Sequence, residues 1–283
     1  MTKKNITLII IAAFILVSFP SKSFAAKFAT GVVALVQYNA DNHFNDYAVN
    51  RENLTNFANE ATIQGASIII FPEGSLYGYA SSTEFWCKPT FRKQGCKNVQ
   101  DVAEVIPFGQ STKFFEKIAL DNKIYILFNL PENEGGVFYN TTVVVGPTGF
   151  VGKYRKRDLY YLDEYYAVPG SNDFVLETEM GRFGLLICRD AAFKGILEAY
   201  RQRKVDRAIL MMNWDDNPPG SKYAAKTFFA NRSAESGVSI LAADNEKWDG
   251  TGLYEPGKNR IRNGLPDQAE NKSGISYHQI NAH

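Results

Sequence analysis

A chain of 283 residues with 31 Lys and Arg against 30 Asp and Glu carries a formal charge of +1, too balanced to form the basic footprint of a nucleic-acid binder. Its 45% hydrophobic content is that of a globular chain, which excludes a disordered or solvating segment. The few cysteines and histidines show no zinc-site spacing, and no Gly-rich phosphate loop precedes a helix, so neither a metal nor a nucleotide cofactor is expected.

The chain opens with Lys3 and Lys4, an apolar run over 6–19, and the small residues Ser23 and Ala25. This is the n-region, h-region and cleavage-site order of a secretory signal. The apolar run is short for a bilayer span, so cleavage after Ala25 is expected, leaving no stable membrane anchor; the alternative is an uncleaved anchor. Residues 26–283, 258 in number, then read as one domain able to bury a substantial core, with a formal charge near −2 once Lys3, Lys4 and Lys22 are gone. A secreted or periplasmic location follows. Such a compartment favours disulfides, and three cysteines is an odd count. Cys87 and Cys96 lie in a Lys-rich, loop-like stretch and form the natural pair, which leaves Cys188 as a free thiol; spacing alone also permits three reduced cysteines.

The mature chain begins with an apolar strand over 28–38, followed by a helix over 47–64 with Leu54, Phe57, Ala58 and Ala61 on one face. A second buried strand covers 67–71. Strand, helix, strand starts an α/β sheet. Directly after it, PEGSLYGY puts Glu73 on a turn at the strand's carboxyl end, where α/β proteins collect their sites; the bland reading is a solvated turn residue. A helix over 112–120, a strand over 123–130 and a hairpin of 138–145 with 150–154 follow. The hairpin runs into KYRKRDLYYLDEYYAVPG, whose basic residues are at once followed by Asp158, Asp163 and Glu164, against a nucleic-acid role.

Next comes GRFGLLICRD, where 185–187 form a short apolar strand and Cys188 stands at its end. A lone cysteine there is ordinarily a small core residue. A nucleophile would need a base, and His43, His278 and His283 all sit toward the ends of the chain, where a solvated side chain is the ordinary reading. If Cys188 is catalytic, a carboxylate therefore serves as its base. Beyond it a helix over 191–201, a strand over 207–212, a helix over 222–235, a strand over 238–243 and a last strand over 275–280 are expected. Sequons stand at Asn53, Asn140, Asn231 and Asn271.

Taken together, Glu73 in FPEG, Lys156 in KYRKRDLY, Glu164 in DEYYAVPG and Cys188 in GRFGLLICRD resemble, in this order and context, the motifs of the nitrilase, or carbon-nitrogen hydrolase, superfamily. The resemblance runs over about 28–252. The leader, the GRFG before the cysteine strand and the early cysteine pair make it most similar to the vanin and biotinidase branch, although Arg189 and Ala191 depart from that branch's pattern around Asp190.

The resemblance implies a four-layer α-β-β-α sandwich and a metal-free triad of Glu73, Lys156 and Cys188, with Glu164 as a second carboxylate. Glu73 would take the thiol proton, Cys188 would attack an amide carbon, and Lys156 with the backbone N–H of Arg189 would hold the oxyanion. Trp214 is placed as a substrate neighbour, while Tyr77, Tyr79, Trp86, Tyr160, Tyr161 and Asp215 could bind an apolar acyl group or equally pack the core or a dimer interface. The expected activity is exported hydrolysis of a linear amide, pantetheinase- or biotinidase-like, by a chain that can form a homodimer. The alternatives are acyl transfer to an amine and a non-catalytic binding protein on the same scaffold.

Overall fold

The computed structural model describes residues 30–78, 86–87, 94–214, 223–265 and 272–281. The leader with its expected cleavage site, Tyr79, Asp215, Asn271 and His283 lie outside the described residues.

Each half of the chain holds a strand–helix–strand–helix–strand unit. The first consists of β1 (Gly31–Gln37), α1 (Tyr47–Ile63), β2 (Ala66–Ile70), α2 (Gln110–Asn122) and β3 (Tyr125–Glu134). The hairpin β4 (Val137–Gly146) and β5 (Gly149–Arg155) extends its sheet, and the short β6 (Val175–Thr178) begins another. The second unit is β7 (Gly181–Ile187), α3 (Lys194–Gln202), β8 (Arg207–Met211), α4 (Ala225–Ser236) and β9 (Ser239–Ala243), followed by β10 (Gly252–Tyr254) and β11 (Gly274–Ile280). The sheets run β11-β1-β2-β3-β4-β5 and β10-β9-β8-β7-β6. Within each, the three strands of the unit are parallel and the flanking strands antiparallel.

Burial on both faces explains the uninterrupted apolar strands. Val33 and Leu35 of β1, with Ile68 and Ile70 of β2, enter the core shared with the second sheet, whose other face packs α3 and α4. Ala34, Val36, Ile69 and Phe71 enter the core under α1 and α2. The layers are therefore helices, sheet, sheet, helices, as expected. The GRFG motif acquires a packing reason, since a Cβ on Gly184 would lie 2.6 Å from the Tyr200 ring of α3.

Several boundaries differ from expectation. Lys123, expected to start a strand, instead caps α2 in the left-handed region with φ of 57°. The helix expected over 191–201 is split: a tight turn over Cys188–Ala192 ends at an extended Phe193 before α3 begins. The short strands β6 and β10 were not expected, because three or four residues at a sheet edge hold no readable apolar run.

His278, expected to be solvated, is 1% exposed in β11, opposite Val33, with Nε2 2.9 Å from Ser276 Oγ. Burial pushes its pKa down to about 4. The unfolded chain thus binds the proton more readily between pH 6.5 and 4, so stability is present above that window and is lost as pH falls through it. The histidine accounts for about 3 kcal/mol of this acid loss. Denaturant titrations at pH 7 and pH 4 should show a smaller acid loss for His278→Gln than for the native chain; an equal loss in both would exclude the histidine as its source.

Candidate active site

The functional side chains stand where strands end. Glu73 lies on the turn after β2, Lys156 is the residue after β5, and Cys188 opens the turn after β7. All three are buried, at 2%, 0% and 4% exposure. The ends of β2 and β7 belong to parallel strands, the edge at which α/β sheets assemble sites.

Lys156 is the centre of a buried charge cluster. Its Nζ donates to Glu73 Oε1 at 2.8 Å and to Asp163 Oδ2 at 2.5 Å. Asn140 of β4 crosslinks the same carboxylates, its Nδ2 donating to Glu73 Oε1 and to Asp163 Oδ1, each at 2.8 Å. The orientation of that amide is forced. Asn129 Oδ1 accepts the Gly74 N–H at 2.9 Å, so Asn129 turns its Nδ2 to Asn140 Oδ1 at 2.7 Å, and Asn140 must present its own NH2 to the carboxylates. The other oxygen of Glu73, Oε2, is buried without a hydrogen-bond partner. One ammonium facing two carboxylates leaves excess negative charge in a buried site. Burial first, and then the Asp163 charge, raise the Glu73 pKa above the ordinary carboxylate value against the pull of Lys156.

Cys188 sits in the left-handed region with φ of 46°, a conformation that costs energy for a residue with a Cβ and that points a side chain away from the regular strand. Its thiol is pushed well above the usual range by burial and by the Glu73 charge, while Lys156 and a hydrogen bond from the Asn213 backbone N–H favour the thiolate. The resting thiol is therefore neutral and close enough to Glu73 and Lys156 to feel both. Cys87 and Cys96 are joined by a disulfide, and Cys188 is free.

Glu164, expected as the second carboxylate, is exposed; its neighbour Asp163, at 0% exposure, occupies that place. The two lie in a tight turn over Tyr161–Tyr165, in which successive side chains point in different directions, so only one can face Lys156. Asp163 is pinned by accepting the Tyr160 N–H at 3.2 Å. Arg189 lies in the Cys188 turn, its side chain turned outward to Asp158 at 3.1 Å and over the Tyr160 ring. Trp214 is one residue beyond Asn213, but its ring stacks on Phe228 and its Nε1 donates to the Tyr223 carbonyl at 2.8 Å, which directs it to α4. Tyr77, Trp86 and Tyr166, with Gly74, Asn129 and Asn140, wall a cavity of about 30 Å³ next to the turn that carries Glu73. Asn140, read in the sequence only as a sequon, is 3% exposed and holds the cluster together. Its signal was an amide side chain inside a strand, ahead of the apolar run 143–145.

A family model described as carbon-nitrogen hydrolase matches residues 32–249. A nitrilase of Pyrococcus abyssi is 36% identical over 47% of this chain and 47% of its own length. Human omega-amidase NIT2 is 31% identical over 55% of this chain and 56% of its own, and mouse pantetheinase 28% identical over 71% and 43%. The matched region spans about half the length of these relatives. Among solved structures, an amidase from Nesterenkonia sp. superposes with a TM-score of 0.66 over 90% of this chain and 92% of its own at 18% identity, a likeness of fold.

Removing Lys156 would leave two buried carboxylates facing each other, which costs about 3–5 kcal/mol when one partner of a buried pair is lost. Lys156→Ala should therefore lower stability by that amount at pH 7, and Glu164→Ala should leave it unchanged within about 0.5 kcal/mol, as expected of an exposed site. Denaturant titration of both variants measures this, and similar losses in the two would contradict the placement of Asp163.

Proposed function

The chain belongs to the carbon-nitrogen hydrolase family, and we propose that it hydrolyses a linear, non-peptide amide through a thioester on Cys188. The observation that carries this reading is the unspent Oε2 of Glu73, buried beside a neutral thiol and a fixed ammonium. As Sγ attacks the amide carbon, the thiol proton passes to Glu73, the S–C bond forms and the carbonyl π electrons move to oxygen. Lys156 and the Arg189 N–H, at the open start of its turn, face the developing oxyanion. Collapse breaks the C–N bond, and Glu73 returns its proton to the departing nitrogen. Water then attacks the thioester, gives a proton to Glu73 and releases the acid; the thiolate recovers the proton.

Asp163, and not Glu164, holds Lys156 in place through these steps. Export and a pantetheinase-like substrate form the finer part of the proposal. They are supported by the leader sequence, the Cys87–Cys96 disulfide and the match to a pantetheinase.

Intact-mass measurement of the native chain and Cys188→Ala, after incubation with pantetheine, biotinyl and aliphatic amides with and without added amine, tests the chemistry. The expected result is an acyl adduct or released acid that requires Cys188. Acyl-amine product would transfer the assignment to acyl transfer, and silence across the panel would defeat the hydrolase reading.

The pH dependence has a fixed sign. Glu73 works as a base only when ionised, so the acylation rate should fall as pH drops through its raised pKa. Glu73→Gln should lose at least about 100-fold in rate, the usual worth of a general base. Asp163→Ala should suffer comparably and Glu164→Gln hardly at all; single-turnover kinetics would reject the assignment if the last two were reversed.

A further inference from the structure

We infer that Asp190 is a positioning residue that locks the Cys188 turn to the strand end carrying Lys156. The two residues come from different sheets, since Lys156 follows β5 and Cys188 follows β7, so no ladder hydrogen bond fixes their relation. The Asp190 carboxylate, at 0% exposure, spans that gap. On the cysteine side, Oδ2 accepts the N–H of Ile187, the residue before Cys188, at 3.0 Å. On the lysine side, Oδ1 accepts the N–H groups of Arg157 at 3.0 Å and Asp158 at 2.7 Å, the two residues after Lys156. The Tyr154 hydroxyl, two residues before Lys156, donates to Oδ2 at 2.8 Å.

Four donors fill the acceptor capacity of one carboxylate. The left-handed Cys188 backbone persists only if its surroundings over-determine it, and Asp190 supplies that constraint from both ends of the turn: its carboxylate holds Ile187 and its carbonyl accepts the Phe193 N–H at 3.1 Å. An asparagine of equal size fails in either orientation, because its NH2 must face either the Ile187 N–H or the N–H pair of Arg157 and Asp158, and a backbone N–H cannot accept. The consequence for amide turnover rests on the hydrolase reading, whereas the effect on the thiol does not.

Iodoacetamide provides the test, because Cys188 is the free thiol and its alkylation needs no substrate. In Asp190→Asn, folded by circular dichroism, alkylation at pH 7 should slow about tenfold, the scale of a misplaced reacting group. Its rate should then climb with pH as for an ordinary thiol, losing the dependence on Glu73. Tyr154→Phe removes one donor of the four and should slow alkylation about two- to threefold with the same change of profile. Folded variants that react with the native rate and pH profile would overturn the proposal, and if Asp190→Asn does not fold, Tyr154→Phe decides by the same criterion. A native chain that is silent toward amides would sink the hydrolase reading while leaving this comparison intact.

Discussion

The structure depends on one buried ammonium held between two carboxylates. Taking such charges out of water costs several kcal/mol per ion, and the cost is offset only by close geometry and full hydrogen bonding. The close geometry, and every hydrogen bond but the one to Glu73 Oε2, come from parts drawn from across the first sheet: Glu73 from the end of β2, Asn140 from β4, Lys156 from the end of β5 and Asp163 from the turn beyond. Asn129 of β3 fixes the amide that fixes the carboxylates. The cluster is thus a product of strand order, and the order of the sheet is legible as a requirement of the cluster.

The second sheet supplies the nucleophile and faces it toward that charge. Its three parallel strands end in Cys188, in Asn213 just past β8 and in Asp244 just past β9. Asp244 accepts the N–H groups of Trp214, Asn245 and Gly250, so the segment whose Asn213 N–H reaches the thiol is itself tied down. Two features mark the site itself, the left-handed backbone of Cys188 and the unpartnered Oε2 of Glu73. Strain and an unmade hydrogen bond in the same place are tolerated where the surroundings hold both fixed, and they are the features that proton transfer from the thiol needs.

The strands and helices of the two units are legible in apolar runs and spacing, as at 185–187 and at Leu54, Ala58 and Ala61 of α1, whereas the two-sheet sandwich is what the family resemblance implies. Glu73, Lys156 and Cys188 were singled out by motifs that resemble a known superfamily, and the fold brings the three to neighbouring strand ends. Sequence reading failed at His278, since nothing in NKSGISYHQI distinguishes a strand whose histidine turns inward against β1. It also failed at the edge strands β6 and β10, which are held by their neighbours more than by their own residues.

The choice between Asp163 and Glu164 shows the division most plainly. The sequence by itself determined that an acidic pair would follow the lysine strand, that a cysteine would end the GRFG strand, and that strands and helices would alternate as in an α/β fold. Which acid turns inward was decided by the tertiary structure, because a tight turn swings adjacent side chains apart and only the position of Lys156 selects one of them. The same holds for Asn140 and Asp190, polar residues whose sequence context gives them no role until chain folding brings their partners, 67 positions away in Glu73 and 33 in Arg157, within hydrogen-bond distance. Residue type and local spacing are written along the chain; long-range contact is written only in the fold.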